Sequence, residues 1–383
     1  MTTSDLPKTK NKLLFTPGPL TTATKVKEAS LFDMGSRDSI FISIVKQIRQ
    51  RLLSLAKVES PDYEAIIIQG SGTFGIESVI SSAIPADGML LNIINGAYGR
   101  RISEMARIHS IPFIELNFNE NQLPELQQIE AALDTHPKIT HVAVIHGETT
   151  TGLLNPIDEI DTIAAHHTKV FIVDAMSTFG ACEIDLGKLN ISYLISSSNK
   201  CIEGIPGFSY VLAKRSELER CKGQARTLSL DLYQQWAGLN TNGQFRFTPP
   251  VQSLLAFNEA LSELEKEGGI SERAKRYAKN NSILIKGMEK LGFKTFLPEN
   301  IRSYIITSFL YPTHPNFFFE VFYSKLNEKG FVIYPGKLSK VDCFRIGNIG
   351  QLFETDIRML IDAVEEVLYE LKIELTEIKK TKK

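Results

Sequence analysis

Six short, largely apolar runs, most followed at once by small or polar residues, constrain this chain more than any other feature. They occupy residues 65–68, 89–94, 141–145, 170–173, 193–195 and 210–212, with helical patterns between them. A strand open to water on one face alternates apolar and polar residues, whereas a strand covered on both faces reads as a continuous apolar run. Strands of that kind alternating with helices predict an α/β fold with a doubly wound, mostly parallel sheet. The residues after the runs are Gln69-Gly-Ser-Gly, Asn95-Gly-Ala-Tyr, His146-Gly-Glu-Thr, Asp174-Ala-Met-Ser and Ser196-Ser-Ser-Asn-Lys200. Ligands of open α/β sheets bind at the carboxyl ends of the strands, so these five polar ends predict a site along one sheet edge.

The pattern changes near residue 262. A charge-rich helical stretch at 261–291 leads to strand candidates at 303–309 and 343–346 and an amphipathic helix at 355–371. The expected organisation is a flexible arm at 1–13, a large domain at 14–262, a smaller C-terminal α+β domain at 263–375 and a basic tail at 376–383. A formal net charge of -1 gives no bulk pull toward nucleic acid or an anionic membrane. No apolar run approaches the roughly 18 residues that would span a bilayer. The polar start, residues 1–12, lacks the apolar stretch of a signal peptide. Cys182, Cys201, Cys221 and Cys343 have neither Cys-x-x-Cys pairing nor metal-ligand spacing with histidine. A reducing cytoplasm and no metal are the expectations.

Three features carry chemistry. Gly70-Ser-Gly-Thr-Phe-Gly75 follows a strand and opens a helix, a place where backbone N–H groups bind phosphate. It also matches the dinucleotide pattern, but no acid stands near Asn95, where the next strand ends. Ser71 and Thr73 add hydroxyls suited to a terminal phosphate. Asp174 ends a buried strand; it is either a turn cap or an acid that keeps a pyridinium nitrogen protonated. Lys200 follows the next strand, and a desolvated lysine beside a pocket is a Schiff-base candidate.

With further motifs the chain resembles the class V, fold-type I pyridoxal-phosphate aminotransferases over residues 14–371. The motifs include Leu14-Phe-Thr-Pro-Gly-Pro-Leu20, Gly35-Ser-Arg-Asp38, Asn95-Gly-Ala-Tyr-Gly99, His146-Gly-Glu-Thr-Thr-Thr-Gly152, Phe247-Thr-Pro-Pro250 and Phe344-Arg-Ile-Gly-Asn348. The resemblance implies pyridoxal 5'-phosphate as cofactor. Ser71, Gly72 and Thr73 would hold its phosphate, Lys200 its aldehyde, Asp174 its ring nitrogen, Tyr98 its ring face and Thr149 its ring hydroxyl. It implies a homodimer with a shared site, in which Thr248 reaches the neighbouring subunit's phosphate. The activity implied is transfer of the amino group of 2-aminoethylphosphonate to pyruvate by a ping-pong course. Arg345 would bind the substrate anion, and Arg37 is a second candidate contact.

Other readings stand beside these. Tyr98 could be a core aromatic, Thr149 a turn residue, Thr248 an N-cap before proline, and Arg345 the partner of a surface carboxylate. His146 reads as a satisfied polar contact. Cys201, beside Lys200, should point away if the segment is extended. Cys343 shares a strand face with Arg345, and a catalytic thiol there would suggest a cysteine desulfurase, although those enzymes carry it on a mobile loop. The runner-up activities are alanine– or serine–glyoxylate transamination, and a non-catalytic binding protein.

Overall fold

The protein is described by a computed structural model covering residues 12–336, 338 and 341–375. Most of the expected arm and the whole expected basic tail lie outside the described residues.

Seven strands form the main sheet: β1 (Tyr63–Gln69), β2 (Met89–Ile94), β3 (Phe113–Asn117), β4 (Ile139–Ile145), β5 (Val170–Asp174), β6 (Tyr193–Ser197) and β7 (Phe208–Lys214). Their spatial order is β1-β7-β6-β5-β4-β2-β3. Burial explains the apolar runs. Six of the seven residues of β1 are buried, as are all five of β6, because helices cover both faces. Each fully buried Ile or Val adds about 1.5–3 kcal/mol.

Two strands carry features that the apolar runs alone do not show. β7 runs antiparallel to both neighbours, β1 and β6. The link from β6 to β7 contains no helix, and a parallel return needs a crossover of a dozen or more residues. β3 corresponds to none of the apolar runs, because it is an edge strand with all five residues half-buried or exposed.

A second sheet comprises β8 (Ile306–Leu310), β9 (Tyr334–Pro335) and β10 (Cys343–Gly347), in the antiparallel order β8-β10-β9. A separate hydrophobic cluster surrounds it, built on Phe293, Phe309, Phe322 and Phe344. Phe15 belongs to this cluster too, since the short strand Leu13–Leu14 pairs with Phe331–Val332. The helical stretch expected at 261–291 is two helices broken at Gly268, which adopts φ +106.

A buried ion cluster ties this part of the chain to the main sheet. Glu203, 3% exposed, accepts from Arg276 Nη2 at 2.8 Å and from the Tyr277 hydroxyl. Arg273, 1% exposed, donates to the Cys201 carbonyl at 2.9 Å, and Arg276 Nη1 reaches the Gly350 carbonyl at 2.6 Å. The turn after β6 is thereby held against the loop after β10. Removing one partner of such a buried pair costs about 3–5 kcal/mol.

Candidate active site

Strands β1, β2, β4, β5 and β6 all deliver their carboxyl ends to one edge of the sheet. A cavity of about 250 Å³ opens there, lined by Ser71, Thr73, Tyr98, Thr149, Asp174 and Lys200 among others. Residues from five separate loops thus converge on one hollow, as parallel strands require.

Helix α1 (Gly72–Ala83) begins inside the glycine-rich segment, so its first turn lines the cavity. Ser71 is its N-cap residue, yet the hydroxyl makes no cap hydrogen bond. The first N–H groups of a helix lack intrahelical partners and carry the positive end of its dipole. At Gly72 a Cβ would meet the end of the Met176 side chain, which would have to swing aside.

Asp174 is 7% exposed and receives the Met176 backbone N–H at 2.8 Å. Burial pushes its carboxyl up to about 7; Glu148 adds to the rise, while the Met176 N–H, Arg101 and Lys200 oppose it. Burial likewise lowers the Lys200 amine to about 8, with Arg345 in the same direction and Cys201 and Asp174 opposing. Lys200 sits in a turn beyond β6, where Nζ donates to the Pro17 carbonyl at 2.7 Å. The extended segment assumed for Cys201 is therefore absent. Its thiol nevertheless turns away from the cavity, to the Ser177 carbonyl at 3.1 Å.

Tyr98 lies in the first turn of α2 (Ala97–Ile108). Buried Glu148 fixes that turn by accepting the Tyr98 N–H at 3.2 Å and the Thr150 hydroxyl at 2.6 Å. His146 is buried against the Thr178 hydroxyl at 2.9 Å, and burial lowers its ring to about 4.

Arg345 stands one layer behind the lining, 2% exposed. Nη1 donates to the Thr149 carbonyl at 2.8 Å and Nε to the Pro335 carbonyl at 2.9 Å, with the guanidinium 5.0 Å from the Tyr334 ring centroid. A surface carboxylate is thus not its partner. Cys343 is buried on β10, in a strand and not in a loop.

Two candidates lie elsewhere in the single chain. Arg37 and Thr248, both exposed, share a surface recess with Arg246 and Phe247 and do not line the cavity. The N-cap reading of Thr248 is overturned. Helix α3 (Val251–Glu267) has Pro250 at its N-cap, because Pro250 pushes Pro249 out of the helical region. Sequence reasoning passed over Arg101, which lines the cavity three residues after Tyr98. Helical spacing places i and i+3 on one face, and that was the available signal.

A family model described as aminotransferase class-V matches residues 27–339. The chain belongs to that family. Among class-V relatives, a 2-aminoethylphosphonate–pyruvate transaminase of Bacillus cytotoxicus is 51% identical over 355 residues, 92% of this chain and 97% of the relative. One of the same name from Vibrio vulnificus is 50% identical over 359 residues, 93% and 98% of the two chains. Among solved structures, ureidoglycine–glyoxylate aminotransferase from Bacillus subtilis superposes with a TM-score of 0.88 at 22% identity, covering 97% of this chain and 96% of the other. Alanine–glyoxylate aminotransferase from Nostoc sp. gives 0.86 at 23%, covering 94% and 96%. At those identities the likeness is one of fold, the fold-type I aminotransferase architecture. None of the described helices is long and apolar enough to cross a membrane.

Proposed function

We propose that this class-V aminotransferase moves the amino group of 2-aminoethylphosphonate to pyruvate, giving phosphonoacetaldehyde and L-alanine, as a cytoplasmic homodimer using pyridoxal 5'-phosphate. The observation that carries the reading is the meeting of Ser71, Thr73, Asp174 and Lys200 around one cavity, in a chain about half identical to transaminases of that name along nearly all its length. The lining suits the cofactor. Asp174 is a buried acid whose ionisation calls for a cation, the Ser197 hydroxyl is buried without a hydrogen-bond partner, and the start of α1 presents unpaired donors.

When bound, the cofactor supplies an electron sink for the charge left on the donor carbon. The Asp174 carboxylate keeps the proton on the ring nitrogen, and the Tyr98 ring covers one face of the slot. Ser71, Gly72 and Thr73 anchor the phosphate, and Thr149 orients the ring hydroxyl. Lys200 Nζ would hold the cofactor covalently and, once free of it, would take and return the proton at the reacting carbon. An amine that ionises near 8 suits that exchange at neutral pH. Both substrates are anions that use the site in turn, so one cation would serve both, and Arg345, just behind the Thr149 segment of the lining, is the candidate. Thr248 reaches the phosphate of the neighbouring subunit, and Arg37, in the same recess, accompanies it toward that site.

The test is to incubate the loaded protein with pyruvate and a panel of amine donors and to measure alanine. The phosphonate donor should lead the panel, and Arg345→Lys should impair both half-reactions while leaving the cofactor's visible spectrum unchanged. A preference for serine or alanine with glyoxylate overturns the substrate reading.

A further inference from the structure

Arg101 has no role in the mechanism above, and its surroundings call for one. It lines the cavity, half-buried, on the same face of α2 as Tyr98, with its guanidinium carbon 5.0 Å from that ring's centroid. Nη1 donates to the Thr73 hydroxyl oxygen at 3.2 Å. Among the described residues no carboxylate stands within ion-pairing distance of it, whereas buried Arg273 and Arg276 both have glutamate partners. A guanidinium that lines a cavity with no carboxylate beside it is placed to receive an anionic ligand.

The identity of the missing anion follows from the contact with Thr73. A hydroxyl that accepts from Arg101 keeps its own proton to donate, and Thr73 stands in the first turn of α1 beside Ser71. Arg101, the Thr73 hydroxyl, the uncapped Ser71 and the helix start therefore surround one end of the cavity, with every donor able to serve the same anion. The geometry points to Arg101 as the charge partner of the cofactor's phosphate, bound within one subunit. This rests on the cofactor reading above. The helix start and the two hydroxyls contribute only neutral donors. Arg101 supplies a full positive charge on that side, and its planar fork would suit a phosphate.

The experiment compares cofactor-free wild type, Arg101→Gln and Arg101→Lys in equilibrium binding of pyridoxal 5'-phosphate and of unphosphorylated pyridoxal. Thermal unfolding confirms that each variant folds. Arg101→Gln should bind the phosphorylated ligand on the order of ten- to a hundredfold more weakly, as expected for a lost charge-assisted hydrogen bond. Arg101→Lys should lose less, and pyridoxal should bind all three proteins alike. Inorganic phosphate should compete with pyridoxal 5'-phosphate at lower concentration in wild type than in Arg101→Gln. Equal loss for both ligands would overturn the inference and make Arg101 a prop for Tyr98. Unchanged binding, with only the KM for the phosphonate donor raised, would overturn it in favour of a substrate contact. Failure of wild type itself to bind either ligand would sink the cofactor reading and this inference together.

Discussion

Replacing Asp174 with Asn should stabilise the cofactor-free protein above neutrality while abolishing transamination. Burial raises the carboxyl from 3.8 to about 7. The folded state therefore binds this proton more tightly than the unfolded chain does. Below about pH 4 both states are protonated and no penalty exists; it grows as pH rises and is complete above about 7. At about 1.4 kcal/mol per pH unit the ceiling is about 4 kcal/mol, of which about 2–3 appears between pH 5 and 8. Asn keeps an oxygen for the Met176 N–H and carries no charge. Part of the gain is offset, because Lys200 loses an acid that helps hold its proton. Thermal unfolding of cofactor-free wild type and variant at pH 5 and pH 8 reads the effect directly. The variant should melt a few degrees higher at pH 8, with a smaller gap at pH 5. A gap that is the same at both pH values, or a variant less stable at pH 8, would refute the reasoning.

Gly18→Ala places a Cβ 2.7 Å from Lys200 Nζ and 2.9 Å from its Cδ, on a backbone at φ +127. Turnover should fall at least about tenfold, from strain on the order of 1–3 kcal/mol, and the pH dependence of the Lys200 link should move; wild-type turnover would contradict the position given to Lys200. Thr248→Ala should weaken cofactor retention, and dilution of wild type to monomers should release cofactor and activity together. A fully active dilute monomer would remove the shared site.

The parts of the fold legible in the sequence were those whose physics is local. Continuous burial leaves a largely apolar run, so β1, β2, β4, β5, β6 and β7 are readable one at a time. Direction and edge position are not local properties. The reversal of β7 depends on a helix missing from its connection, and edge strand β3 carries a pattern that much of the surface shares. The convergence of polar strand ends is legible because a parallel sheet gathers carboxyl ends at one edge. The layering behind the site is not. Arg345 reaches its place through the Thr149 and Pro335 carbonyls, contacts between segments nearly 200 positions apart or across a hairpin. Arg101 simply follows Arg100 in the sequence, and it is the turn of α2 that aims it at Thr73. Thr248 failed as an N-cap because two consecutive prolines delay the helix.

The central claim is that Lys200 makes the covalent link to the cofactor at the end of β6. Borohydride reduction of the loaded protein followed by peptide mapping tests it most directly. The expected result is a single pyridoxyl group on Lys200 and none in a Lys200→Ala variant. A pyridoxyl group on Lys214 or any other lysine, with Lys200 unmodified, would contradict the assignment.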